Sequence, residues 1–260
     1  MIPRTQVTGR RVVRPGVYRR HIRLCANAGV VHADMEDDSH RFGVTLRHDG
    51  LHVTAIEGRA LRAPWSLCPG ATGVLGRLVG MPLAPSPLAA SAFADQKQQC
   101  THLFDLAAVA VSHAARNIAA RDYRIDGPWY EIEVPRTITL YRDDEAVLEW
   151  VLRGNTIIGP EPYASIGVKS LLQWAMQQPV DPDALEALFV LRRAVLISGS
   201  RTLDLDVLAT ADQTGHGIGA CYVHQPGRIT LARRNVGSSR DFTEAPDAML
   251  ADLRPAHAGH

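Results

Sequence analysis

Between residues 17 and 61 the chain alternates. "VYRRHIRL" (17–24), "VVHADMED" (30–37), "RFGVTLRH" (41–48) and "HVTAIEGRAL" (52–61) each alternate apolar and polar positions or carry β-branched residues. That period puts every second side chain on one face, the signature of a strand buried on one side. "NAG" and "HDG" separate the segments and favour tight turns. The pattern predicts four antiparallel strands in a meander, with "HDG" closing the last hairpin.

After "APWSLCPGA" the period changes. "ATGVLGRLVGM" (71–81) has helical spacing, and "PLAPSPLAAS" (82–91) breaks it with three prolines. "CTHLFDLAAVAVSHAARNIAA" (100–120) predicts the longest helix, starting at 99–102, with Leu103, Leu106, Ala107, Ala110 and Val111 on one stripe. Strands are predicted at 130–135 and, as a pair around the "RDDE" turn, within 137–159. Helices follow at 165–176 and 181–198, the second with Asp181 as N-cap and Pro182 in its first turn. Residues 203–210 and 219–226 read as strands and 241–253 as a short helix or tail.

This order repeats. Residues 44–81 align with 138–175, matching Val44 with Ile138, Asp49 with Asp143, Val53 with Val147 and Leu78 with Leu172. The expected fold is therefore α+β, with a hairpin–helix–helix unit duplicated into two related halves packed as one body. Residues 1–15 form an Arg-rich arm, 16–121 the first half and 122–260 the second.

Composition narrows the function classes. A hydrophobic share of 46% over 260 residues supports a core without disulfide staples. The formal net charge of +1 gives no global field for nucleic acid or an anionic membrane. The arm's Arg10, Arg11 and Arg14, with Arg19, Arg20 and Arg23, match no known nucleic-acid module, which points away from RNA or DNA. No signal segment opens the chain and no apolar run is long enough to span a bilayer, so the expected location is cytoplasmic. In a reducing compartment, Cys25, Cys68, Cys100 and Cys221 are ligands, nucleophiles or core rather than disulfides.

Candidate chemistry gathers in the first half. His40 begins a strand, Cys68 sits in the loop leaving the hairpin, and Cys100 and His102 open the long helix. Thiolate and imidazole are ligands for zinc or iron, and a helix N-terminus favours the thiolate. Cys25 and Cys221 read as core. "ADMEDDSH" (33–40) places Asp34 and Glu36 on one strand face, as acid/base groups or as carboxylates orienting a ligand imidazole. Arg62, and Arg240 in "GSSRDF" (237–242), are candidates to hold a substrate carboxylate. No phosphate loop, dinucleotide fingerprint, nucleophile elbow or zinc-protease helix is present, so no nucleotide cofactor is expected.

Two resemblances accompany these residues. "EDDSHRFGVTLRHDG", "CPGA…LVGMPLAPS" and "CTHLFDL" resemble an uncharacterised bacterial family, domain of unknown function 2889, over roughly residues 16–250. That resemblance implies that His40, Cys68, Cys100 and His102 belong to a shared pattern, and it carries no established activity. More distantly, His40, Cys68 in "SLCPGA", Gly80 in "LVGM" and Cys100 resemble the pattern of iron–sulfur cluster scaffold and sulfur-acceptor proteins. His40 stands where that family has its first cysteine, and Gln99 where it has a histidine.

The expected function is a metal-dependent enzyme for a small organic substrate, with lyase or hydrolase chemistry. One divalent zinc or iron ion would be held by His40, Cys68 and Cys100, with His102 as fourth ligand or as acid/base, beside Asp34 and Glu36. A sulfur or cluster carrier and a non-catalytic protein with a structural metal are the alternatives, and a homodimer is compatible with all three.

Overall fold

The computed structural model describes residues 16–128, 134–215 and 217–253. The basic arm and most of the strand expected at 130–135 lie outside the described residues. Eight strands form one antiparallel sheet: β1 (Val17–Asn27), β2 (Val30–Asp37), β3 (Arg41–His48), β4 (Val53–Arg62), β5 (Ala120–Pro128), β6 (Arg136–Arg142), β7 (Glu145–Arg153) and β8 (Thr156–Gly159). Their order is β4-β3-β2-β1-β5-β6-β7-β8. Two meanders therefore run outward in opposite directions from a central β1–β5 pair. The first four strands sit within three residues of the bounds that alternation predicts, and β2 and β3 match them.

The pleat decides which side chains are buried. Ile22 faces Met35 on one side and Tyr123 on the other, and Leu24 faces Ala33. Phe42, Val44, Leu140, Trp150 and Leu152 continue the same face, all fully buried. Each such side chain contributes about 1.5–3 kcal/mol of burial.

Two long helices cover that face, α2 (Thr101–Arg116) against β1–β3 and α4 (Pro182–Ser198) against β5–β7. The short helices α1 (Ala89–Phe93) and α3 (Leu171–Ala175) precede them. Asp105 pairs with Arg193, His113 with Glu186 and Arg116 with Asp183, so α2 and α4 lie antiparallel, side by side. Asp181 caps α4 by accepting from Ala184 N–H at 2.9 Å. Asn117, in the left-handed region, ends α2.

Several expectations are corrected. Residues 71–81 form 3₁₀ turns (Cys68–Ala71 and Gly73–Leu78) rather than an α-helix, since Gly73 and Gly76 give it little backbone preference. Helix 165–176 contracts to α3. The long helix stops at Arg116, and Ala120 already belongs to β5. The strands expected at 203–210 and 219–226 are turns: this region has short 3₁₀ turns and isolated bridges such as Thr210–Arg233. Alternation there has no neighbouring strand with which to build a ladder. Residues 241–253 hold one 3₁₀ turn, Pro246–Ala248.

The chain is α+β, with four strands and then helices in each half. The alignment of the halves pairs β3 with β6 and β4 with β7. Position in the sheet, counted outward from the centre, pairs β3 with β7 instead.

Candidate functional site

The core face of the first half turns polar at one end. Along β1 the inward residues run Leu24, Ile22, then Arg20 and Tyr18. Along β2 they run Val31, Ala33, Met35, then Asp37, and along β3 Leu46, Val44, Phe42, then His40 at its start. The alternation that builds the core thus carries four polar side chains into it. The first turn of α2 lands there and adds His102.

Asp37 organises the group. Asp38 and Ser39 make the two-residue turn between β2 and β3, and Asp37 N–H donates to His40 O at 2.9 Å. Asp37 Oδ1 accepts from Ser39 N–H at 2.9 Å, His40 N–H at 2.8 Å and His40 Nδ1 at 2.9 Å. Its Oδ2 accepts from Arg20 Nη2 at 2.6 Å and Tyr18 O–H at 3.2 Å. A carboxylate can only accept, so His40 Nδ1 is the donor of this bond. The His40 and His102 rings lie 3.9 Å apart, with Phe42 5.5 and 5.8 Å from them. One ligand-type atom from each of Asp37, His40 and His102 lies within 4.8 Å of the others. His102 Nε2 is buried and has no hydrogen-bond partner.

Electrostatics hold the charges in place. Burial would push the Asp37 carboxyl up, but His40 and Arg20 keep it well below the usual carboxylate range. Burial, then the neighbouring His40 and Arg20, hold His102 well below the usual imidazole value, and it is therefore neutral at neutral pH. Burial raises Asp38 to about 7 against the opposing pull of Arg201, which bonds it at 2.8 Å.

A narrow apolar slot of about 20 Å³, the space of roughly one water, runs between α2 and α4 beside His102. Arg20, Ile22, Met35, Phe189 and Arg193 line it with His102. A larger cleft of about 500 Å³ opens over β1 and β5 on the other face. Its charges are mostly spent on each other: Arg19 on Asp126 at 2.6 Å, His21 and Arg23 on Asp122 at 2.7 and 3.1 Å.

Of the residues proposed from sequence, the structure brings His40 and His102 together. Cys100 and Cys68 stand apart from that pair. Cys100 is the N-cap of α2 and His102 its second residue, so their side chains leave the axis about 200° apart. Burial, not the helix end, governs both thiols: it pushes Cys100 up to about 12 and Cys68 higher still. Asp34 and Glu36 share a face as expected, but it is the opposite face from His40. Asp34 pairs there with Arg41 and Arg59, at 2.9 and 3.0 Å. Glu36 pairs with Arg62 at 3.0 Å and accepts from Leu250 N–H. Arg62 also donates to the carbonyls of Asp37, Asp38, His40 and Ser238, which ties the 36–40 turn to the C-terminal segment. The Arg240 side chain donates to the carbonyls of Gly237 and Ser239, and its N–H to Asp38 O at 2.7 Å.

Sequence reasoning missed Asp37, Arg20 and Tyr18. A signal existed. In "DDSH" a two-residue turn makes its flanking residues cross-strand partners, which puts Asp37 and His40 on one face. Val31, Ala33 and Met35 mark that face as the inner one.

A scan against protein-family models finds no match for this chain, and a search of curated proteins finds none either.

Proposed function

We propose that the protein is a metal-dependent enzyme acting on a small organic substrate by hydrolase or lyase chemistry, with its centre at Asp37, His40 and His102. The observation that carries this reading is the approach of their three ligand-type atoms within 4.8 Å, one of them the unpartnered His102 Nε2. Two imidazoles and one carboxylate suit zinc or ferrous iron. Such an ion would supply Lewis acidity toward a carbonyl or a bound water. The chain's own residues do the rest. Asp37 fixes the His40 ring, Arg20 and Tyr18 hold Asp37, and Phe42 and the apolar slot exclude water. Cys68 and Cys100, first expected in the same ligand set, stand outside it.

A second reading rests on a different observation: both oxygens of Asp37 are already occupied by five donors. It makes Asp37–His40 a metal-free general-base dyad with His40 Nε2 as the base. Elemental analysis separates the two. About one zinc or iron per chain, lost in His102→Ala, supports the metal centre. A metal-free protein that still turns over a carbonyl or ester substrate, and loses that activity in His40→Ala, supports the dyad. No metal at this site and no His40-dependent activity would overturn both.

A cytoplasmic location fits four free cysteines. No helix among the described residues is long and apolar enough to cross a membrane. Relationship to domain of unknown function 2889, duplication of the two halves, a sulfur- or cluster-carrying role and a homodimer belong to this same level of proposal. The opposed meanders around β1 and β5 support the duplication.

A further inference from the structure

One edge of the sheet is covered by its own chain and the other is open. On β8, Ile157 N–H donates to Ile166 O at 3.0 Å and Ile157 O accepts from Ser165 N–H at 2.8 Å. β4, ten residues long, ends the sheet on the other side. Alternate residues of an antiparallel strand turn their N–H and C=O to opposite sides. His48 N–H donates to Gly29 O at 2.9 Å, on the β2 side of β3. Arg47, Thr45 and Gly43 therefore turn theirs to β4, where they face Ala55, Glu57 and Arg59. Between these, Ile56, Gly58 and Ala60 point their N–H and C=O out of the sheet. Among the described residues only the start of β4 is covered: Val53 N–H donates to Met81 O at 2.9 Å, and Val53 O accepts from Gly80 N–H at 2.8 Å.

We propose that this edge is the homodimer surface, where β4 of a second copy pairs antiparallel about a two-fold axis at Gly58. The proposal stands apart from the Asp37 centre. It rests on the stretch "AIEGRAL" (55–61), which complements itself when reversed. Gly58 meets Gly58, Ile56 meets Ala60 and Glu57 meets Arg59 of the second copy. The first two pairings join outward-pointing residues, so each exchanges two N–H···O bonds, about six in all. Glu57 then falls opposite Arg59 at a non-hydrogen-bonded position, where facing side chains come closest. Both are exposed. Arg59 reaches Asp34 through Nη2 alone, at 3.0 Å, so its other N–H groups can meet a second carboxylate. Leu61, 58% exposed, gains Ala55 of the second copy as a neighbour.

Nothing in β4 guards against such pairing. Free edges are commonly blunted by lysine, proline or a bulge. Residues 53–62 contain neither lysine nor proline. The two register shifts lie at the ends, beside His48 and Arg41, and leave 55–60 regular. The pairing joins two eight-stranded sheets into one continuous sheet.

Sedimentation velocity on the full chain, up to about 1 mM, tests the proposal and should show a reversible dimer. Glu57→Arg and Arg59→Glu each place like charges opposite one another twice, and each should weaken the dimer about tenfold. Mixed together, the two variants should form a heterodimer about as tight as the wild-type dimer, which a folding defect would not produce. Ala60→Pro replaces an N–H that bonds nothing within one copy, and should leave a folded monomer. A wild-type chain that stays monomeric would overturn the proposal. So would a dimer as tight in Ala60→Pro as in the wild type, which would put the homodimer surface elsewhere. A mixture no tighter than its separate variants would exclude the Glu57–Arg59 register.

Discussion

His40 Nδ1 lies 2.9 Å from Asp37 Oδ1 across a two-residue turn, while Arg20 Nη2 holds the other oxygen at 2.6 Å. Asp37 is fully buried and Arg20 nearly so, with side chains 0% and 2% exposed. Asp37→Asn keeps the shape but leaves the guanidinium without its counter-charge. The expected loss is about 3–5 kcal/mol, the cost of breaking a buried pair from one side. Urea denaturation measures it. A loss below about 1 kcal/mol would show that Asp37 does not organise this end of the sheet.

A second buried carboxylate predicts the acid limb of stability. Glu186 accepts from His113 Nε2 at 3.0 Å, Tyr123 O–H at 2.5 Å, Ser112 Oγ at 3.1 Å and Arg116. Burial opposes its ionisation, yet His113, Tyr123 and Arg116 hold it below its ordinary value of 4.5. A depressed folded pKa stabilises fully above the unfolded value and loses that contribution as pH falls through the folded one. Stability should therefore decline below about pH 4.5, and Glu186→Gln should flatten that decline while lowering stability at neutral pH. Thermal melts from pH 3 to pH 7, at roughly half-unit steps, read both effects. An unchanged acid limb in the variant would exclude Glu186 as its source.

Asp105 on α2 and Arg193 on α4 pair beside the slot at His102. A double-mutant cycle of Asp105→Ala and Arg193→Ala should give a coupling of about 0.5–3 kcal/mol, because both side chains are largely buried. Coupling near zero would mean that the helices are aligned by their apolar contacts alone.

The β6–β7 turn offers a stabilising change. Asp143 and Asp144 both have positive φ, at 51° and 72°. Asp143 is needed, since its Oδ1 accepts from Asp122 N–H at 2.8 Å. Asp144 is exposed and, among the described residues, pairs with exposed Arg124. Asp144→Gly removes the left-handed strain and should gain up to about 1 kcal/mol, read as a higher urea midpoint at an unchanged slope. A lower midpoint would mean that the ion pair outweighs the strain.

Much of the sheet was legible because its code is local. Alternation and turn residues set β1 to β4 almost to the residue, and Asp181 with Pro182 set the start of α4. The candidate site was legible in part. His40 and His102 were singled out, but as partners of Cys68 and Cys100. The alternation that put Asp34 and Glu36 on one face also placed that face away from His40.

The sequence by itself determined β1 to β4, the α4 cap and the buried inner face of those strands. These follow from residue period and backbone preference over a few positions. Only the tertiary structure decided that α2 would bring His102 onto the turn between β2 and β3, and that Gln99, just before α2, would accept from Tyr222 N–H. Those pairings depend on where a helix packs on a sheet. Apolar burial sets that position without direction, so no short stretch of chain records it.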